Sequence, residues 1–281
     1  MGRMGSNCYP GYSFLLFLME VIFVLKIIDL VKKYGEKTAV DGINLVVGKG
    51  ETVVVMGPSG CGKSTSIRCI NRLTEPTSGE IIFQGAKLTA LPPAALLQIR
   101  KRIGFVFQQF NLVQRLTALE NVMLGLVAGG MDKGDALTRA TEALATVGME
   151  KHAGQRPGEM SGGQQQRVGI ARALALEPEM MLWDEPTASL DPILVGEVLE
   201  VMEDLAKYKN MTMVVVTHEL PFALHVADRI VLMEKGRIVE EGMPQAVFAN
   251  PQSKIGEQYR RLIDYQLNMT GLKIHGKKVV A

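Results

Sequence analysis

Residues Gly57 to Thr65 read Gly-Pro-Ser-Gly-Cys-Gly-Lys-Ser-Thr and fit the pattern G-x-x-x-x-G-K-[ST]. The apolar run Val53-Val54-Val55-Met56 leads into them, and Ser66-Ile67-Arg68-Cys69-Ile70 continues as a helix should. In that setting Gly57, Pro58, Ser59, Gly60, Cys61 and Gly62 form a loop. Its glycines let successive N–H groups turn inward on an anion, and a helix starting at Lys63 adds the positive end of its dipole. Lys63 is suited to neutralise the β- and γ-phosphates of a nucleotide, and Ser64, with Thr65 behind it, to hold Mg²⁺ through its hydroxyl.

Other apolar runs also end in groups that could serve phosphate chemistry. Met180-Met181-Leu182-Trp183 ends in Asp184-Glu185, and strand alternation points the two carboxylates apart, so they should do different work. Asp184 suits Mg²⁺, and Glu185 is left to polarise the water that attacks a γ-phosphate. Ile103 to Phe107 ends at Gln108, at the strand edge where open α/β sheets keep their ligands. Gln108 could reach Mg²⁺ or the attacking water, or be a solvated loop glutamine. Thr212 to Val216 ends at Thr217-His218, where the histidine could hydrogen-bond the γ-phosphate. Tyr34, near the end of the first strand, is either a strand-end aromatic or a platform for an adenine ring.

A second anion site is possible at Ser161-Gly162-Gly163-Gln164, where a hydroxyl and free N–H groups precede a helix placed from Val168 to Leu176. A plain serine-initiated helix is the alternative. One nucleotide does not obviously need both loops, whereas two chains facing head to tail would.

The elements that must position these groups alternate between strand and helix. Strands are predicted from Val24–Leu30 on to an end at Lys33-Tyr34-Gly35, and at Ile43–Val47, Glu51–Met56, Glu80–Phe83, Ile103–Phe107, Met180–Glu185, Thr212–Val216, Ala227–Met233 and Ile238–Gly242. Helices follow the phosphate loop, span Ala94–Arg102 and run from Ile193 to about Lys207. From Leu116 to about His152 apolar residues recur at three-to-four spacing, broken at Gly129-Gly130, which reads as a helical insertion into the α/β core. Residues 251–281 read as mixed helix and basic tail, too short for a further domain.

The chain has 281 residues and a formal charge of +2, with no basic block, so nothing in its composition points to nucleic acid. Three cysteines, two of them Cys61 and Cys69, argue for a reducing compartment rather than a disulfide framework. The apolar stretch Tyr12 to Val31 is interrupted by Glu20, Lys26 and Asp29, which makes it a poor membrane helix, and no small-residue cleavage site marks it as a signal. Met1 to Ser6 fits a loose myristoylation pattern, but an upstream extension without function, with Met19 as the start, is the preferred reading.

In order, Tyr34, the phosphate loop, the Gln108 loop, Ser161-Gly162-Gly163-Gln164, Asp184-Glu185, Asp191 and His218 resemble the nucleotide-binding subunit of an ABC transporter. The resemblance spans about 25–250 and leaves 1–24 as an extension and 251–281 as a short tail. It implies an α/β P-loop NTPase (RecA-like) core, an antiparallel β subdomain, and a helical subdomain at about 113–177 that carries the Ser161 signature. It also implies an ATP- and Mg²⁺-dependent ATPase working as a homodimer or paired subunit. Each ATP would lie between one chain's phosphate loop and the partner chain's Ser161, Gly162, Gly163, Gln164 and Asp191, with Tyr34 against the base. Integral-membrane permease subunits and a periplasmic or extracellular solute-binding protein would complete the assembly at the cytoplasmic face of the membrane.

Asn71 to Pro76, Val106 to Leu112 and Val239 to Gly242 are most similar to ATPases of polar-amino-acid importers. Met160, Trp183 and the order Ala188-Ser189 depart from the family pattern without removing a catalytic group. An ABC ATPase of an exporter or of envelope machinery is the alternative, and a soluble ABC ATPase a more distant one. A phosphate-loop kinase leaves the serine–glycine signature unexplained.

Overall fold

A computed structural model describes residues 23–207 and 209–270. The N-terminal extension up to residue 22, with its myristoylation pattern and Met19, lies outside the described residues, as does the basic end of the tail, 271–281. The part of the apolar stretch that is described, from Phe23 on, is strand rather than helix. Among the described residues no helix is long and apolar enough to cross a membrane.

Strands β1 (Phe23–Tyr34) and β2 (Lys37–Gly48) form a hairpin in which Tyr34 faces Lys37 across the turn. β1 stops at Tyr34, within its expected end at Lys33-Tyr34-Gly35, whereas β2 starts at Lys37, well before the expected Ile43, because a half-exposed strand edge carries little apolar signal. The chain then crosses to β3 (Thr52–Met56) in a second sheet, turns through the phosphate loop and enters α1 (Lys63–Ile70). It returns to the first sheet with β4 (Ser78–Phe83) and the two-residue β5 (Ala86–Lys87), giving an antiparallel order β2-β1-β4-β5.

The second sheet alternates with helices: α2 (Pro93–Lys101), β6 (Ile103–Val106), then the helical layer α3 (Ala118–Ala128), α4 (Lys133–Thr146) and α5 (Gly162–Leu174). It continues through β7 (Met180–Asp184), α6 (Pro192–Lys207), β8 (Thr212–Val216) and α7 (Leu220–Val226). β9 (Arg229–Glu234), β10 (Arg237–Gly242), α8 (Pro244–Ala249) and α9 (Lys254–Thr270) complete it. Its order is β10-β9-β3-β8-β7-β6, parallel throughout except that β10 runs antiparallel to β9.

β3, β7 and β8 are buried along their whole length, as the uninterrupted apolar runs require of strands covered on both faces. The pleat divides them. Val53, Val55, Met180, Leu182, Val214 and Val216 pack with the antiparallel sheet and α1, whereas Val54, Met56, Met181, Trp183, Met213 and Val215 pack with the helices. The central sheet thus separates two cores.

Two further sequence boundaries move. The signature helix begins at Gly162, six residues before the expected Val168, because Ser161 and Gln164 cap each other and draw the helix start back to them. The apolar core also runs past Asn250: Ile255 and Ile263 of α9 are buried in it, and the Tyr259 ring meets Phe248 edge-on at 6.0 Å.

Candidate functional site

Because β3, β8, β7 and β6 are parallel neighbours, their C-terminal ends share one edge, and Gly57, Thr217-His218, Glu185 and Phe107-Gln108 all leave from it. The glycines at both ends of the phosphate loop are required by space. A Cβ at Gly57, whose φ is +151°, would lie 2.2 Å from the Met233 carbonyl oxygen, and one at Gly62, φ +109°, 2.2 Å from that of Ala39.

Lys63 is buried, and its ammonium donates to the carbonyls of Gly57 at 2.9 Å and Pro58 at 3.2 Å. It also lies 3.6 Å from Glu185 Oε1. The other oxygen of Glu185 is 3.6 Å from Nδ1 of His218, whose Nε2 is 3.6 Å from Glu219. Three of the residues expected to be catalytic, Lys63, Glu185 and His218, therefore converge beside the loop. Burial pushes the Cys61 thiol up, with the Lys63 ammonium pulling the other way, so at neutral pH it stays a protonated wall of the loop.

Asp184 and Glu185 do separate, though not by the pleat alone. β7 ends at Asp184, and Glu185 takes a left-handed backbone with φ +47°, its N–H donating to the Val216 carbonyl at 2.9 Å. Asp184 is fully buried; its Oδ2 accepts from Arg68, while Oδ1 has no hydrogen-bond partner. A buried carboxylate oxygen left unpaired suits a cation. Among the described residues no group of three or more His, Cys, Asp or Glu could hold a metal alone. A cation here would therefore depend on Asp184, the Ser64 hydroxyl, the Gln108 amide oxygen and nucleotide phosphates, a donor set in keeping with Mg²⁺.

The signature lies on the helical layer. Ser161 Oγ accepts from the Gln164 N–H at 3.2 Å, and Gln164 Oε1 from the Ser161 N–H at 2.9 Å. A Cβ on Gly162 would lie 3.2 Å from Leu190 and 3.6 Å from Phe110, and one on Gly163 would lie 3.3 Å from Glu197. The signature thus abuts the Asp191 loop of its own chain, where Asp191 Oδ1 accepts from the Ile193 N–H at 3.0 Å at the start of α6. Tyr34 is half exposed, with the Lys32 ammonium 4.7 Å from its ring centre.

The Gln108 segment is tied to the signature helix by residues that sequence reasoning missed. The buried Gln166 donates to the Phe107 carbonyl at 3.2 Å, and Arg172 donates to the Asn111 and Phe110 carbonyls at 2.7 and 3.2 Å. Tyr259 of α9 was missed as well. Its phenol is pushed up by burial, against the pull of the Gly57 main chain, with Cys61 and Glu185 adding to the rise, which places the last helix beside the phosphate loop. Only Arg68 had a signal in the sequence, its four-residue spacing from Ser64.

A mixed, mostly parallel sheet with a phosphate loop after its central strand defines a P-loop nucleoside triphosphatase. A family model described as ABC transporter matches residues 40–188. The chain is 53% identical over 224 residues to the glutamine transport ATP-binding protein GlnQ of Escherichia coli, covering 79% of this chain and 92% of that one. It is 46% identical over 241 residues to the histidine/lysine/arginine/ornithine transport ATP-binding protein HisP of the same organism, covering 82% and 93%.

Among solved structures it is similar to a dimeric ATP-binding cassette in a post-hydrolysis state with ADP and Pi, at 40% identity and TM-score 0.71, covering 78% and 98%. It is also similar to CbiO1 of Clostridium perfringens, at 29% and 0.75, covering 89% and 98%. The chain belongs to the ABC transporter family and is one of its ATP-binding, ATP-hydrolysing cassettes.

Proposed function

We propose that this chain is the ATPase subunit of an importer for a polar amino acid, working as a dimer on permease subunits at the cytoplasmic face of the membrane. The observation that carries the reading is the convergence of Lys63, Glu185 and His218 on the phosphate loop, with Asp184 behind them. The solutes carried by relatives such as GlnQ and HisP support the solute class, and the dimeric cassette supports the pairing.

In this reading the N–H groups of residues 57–65 hold the phosphates, and Lys63 swings from the Gly57 and Pro58 carbonyls to the β- and γ-oxygens. Ser64, Asp184 and Gln108 would hold Mg²⁺, which when bound would supply positive charge to the phosphates. Glu185 accepts a proton from the attacking water, and His218 donates to the γ-phosphate. Ser161, Gly162, Gly163, Gln164 and Asp191 of the partner chain close over the same ATP, while Tyr34 stacks on its base.

Val113, next to the Gln108–Leu112 segment, and Leu124 and Val127 of α3, the helix whose Asn121 holds the Val113 main chain, are exposed and would offer the permease apolar contact. A solute-binding protein outside the membrane delivers the amino acid to that permease. Removing the carboxylate while keeping its shape should trap the ATP-closed pair. Purified Glu185→Gln should therefore elute as a dimer with ATP and Mg²⁺ and as a monomer with ADP; a monomer under both conditions sinks the reading.

A further inference from the structure

The two carboxylate oxygens of Asp184 are not equivalent. Oδ2 accepts from Arg68 Nε at 2.8 Å and lies 2.8 Å from Arg68 Nη2, whereas Oδ1 is equally buried and has no partner. An arginine facing a carboxylate commonly spreads its fork over both oxygens. Here both donors fall on one, and the other is left open. Arg68 stands four residues after Ser64 on α1, so the two side chains share a helix face, and α1 packs against β7.

We propose that Arg68 is a positioning residue: its guanidinium fork locks the Asp184 carboxylate by Oδ2, so that Oδ1 stays turned toward the cation held with Ser64 and the nucleotide phosphates. This rests on the assignment of that cation to Ser64 and Asp184. The last torsion of an aspartate is soft, so a carboxylate without a clamp is free to turn the wrong edge to a metal. A planar fork fixes that torsion, and a single ammonium donor does not. Arg68 is also 42% exposed, whereas Asp184 is fully buried, so the guanidinium keeps its own hydration and does not have to compete for Oδ1.

The test is Mn²⁺ affinity, read by the loss of free-ion resonance as Mn²⁺ is titrated into full-length protein saturated with a non-hydrolysable ATP analogue. Arg68→Ala should weaken Mn²⁺ about tenfold or more, as loss of an outer partner of a metal ligand does, and Arg68→Lys should fall between it and the parent. Affinity for the analogue in EDTA should be unchanged in both. Parent-like Mn²⁺ affinity in both variants overturns the proposal, as does an equal loss of metal-free analogue binding, which would make Arg68 a mere support for α1. Should Arg68→Ala not fold, Arg68→Lys decides alone, since it keeps charge and stem but not the fork. Asp184→Asn separates the layers: if it leaves Mn²⁺ affinity intact the cation assignment itself fails, and if it alone weakens Mn²⁺ only the role of Arg68 does.

Discussion

The Lys63 ammonium already has three partners: the Gly57 and Pro58 carbonyls and the Glu185 carboxylate. In the proposed function an incoming phosphate replaces them, and charge-assisted bonds to phosphate oxygens are stronger than bonds to neutral carbonyls. In Lys63→Ala the same substitution removes the phosphate partner and leaves Glu185 without its nearby countercharge. With charged hydrogen bonds contributing about 1.5–3 kcal/mol each, ATP affinity should fall roughly 10- to 100-fold, as read by titration calorimetry, and turnover should be lost. An affinity equal to the parent's would mean that the ammonium stays on the loop carbonyls and does not serve the nucleotide.

At the scale of elements, α5 owes its start to a reciprocal pair, Ser161 with Gln164. The same serine is proposed to face a partner's ATP, and the two roles can be separated. Ser161→Ala should cost about 1 kcal/mol through the lost cap, a fall of about 2–4 °C in Tm for a chain of this size. Ser161→Asp keeps a capping oxygen, so its Tm should hold while its ATPase rate collapses, because a carboxylate then sits where a phosphate must approach. Activity retained in the aspartate variant would leave the cap as the only role.

Sequence alone located that serine but misplaced the helix, because two glycines and three glutamines show no apolar period until Val168. The fully covered strands β3, β7 and β8 were legible as unbroken apolar runs, and β5 and α7 were not, being two residues and seven residues long without caps or period. The candidate site was legible where a group stands just past the end of a strand, as Glu185 and His218 do. It was hidden where contact depends on the tertiary fold, as at Tyr259 and Gln166.

On the scale of the molecule, the central sheet divides two cores, and Cys69 lies fully buried in the one beneath the antiparallel sheet. Burial pushes its thiol from the ordinary 9.0 up to about 11. Between those values the unfolded chain has lost a proton that the folded chain keeps, so stability is fully present below pH 9 and falls as pH rises toward 11. The loss should be about 2 kcal/mol. Urea midpoints taken below pH 9 and near pH 11 should show that decline in the parent and a shallower one in Cys69→Ala; parallel declines would assign the alkaline loss to other groups.

The left-handed backbone at Glu185 reaches further. A residue with a side chain is held there at a cost of about 1 kcal/mol, which glycine would not incur. Chains screened only for resistance to heat should therefore drift toward glycine or asparagine at this one position and, with the proposed water-activating carboxylate gone, emerge sturdier but inert. In a lineage that must keep working, the less comfortable residue persists only while selection acts on turnover.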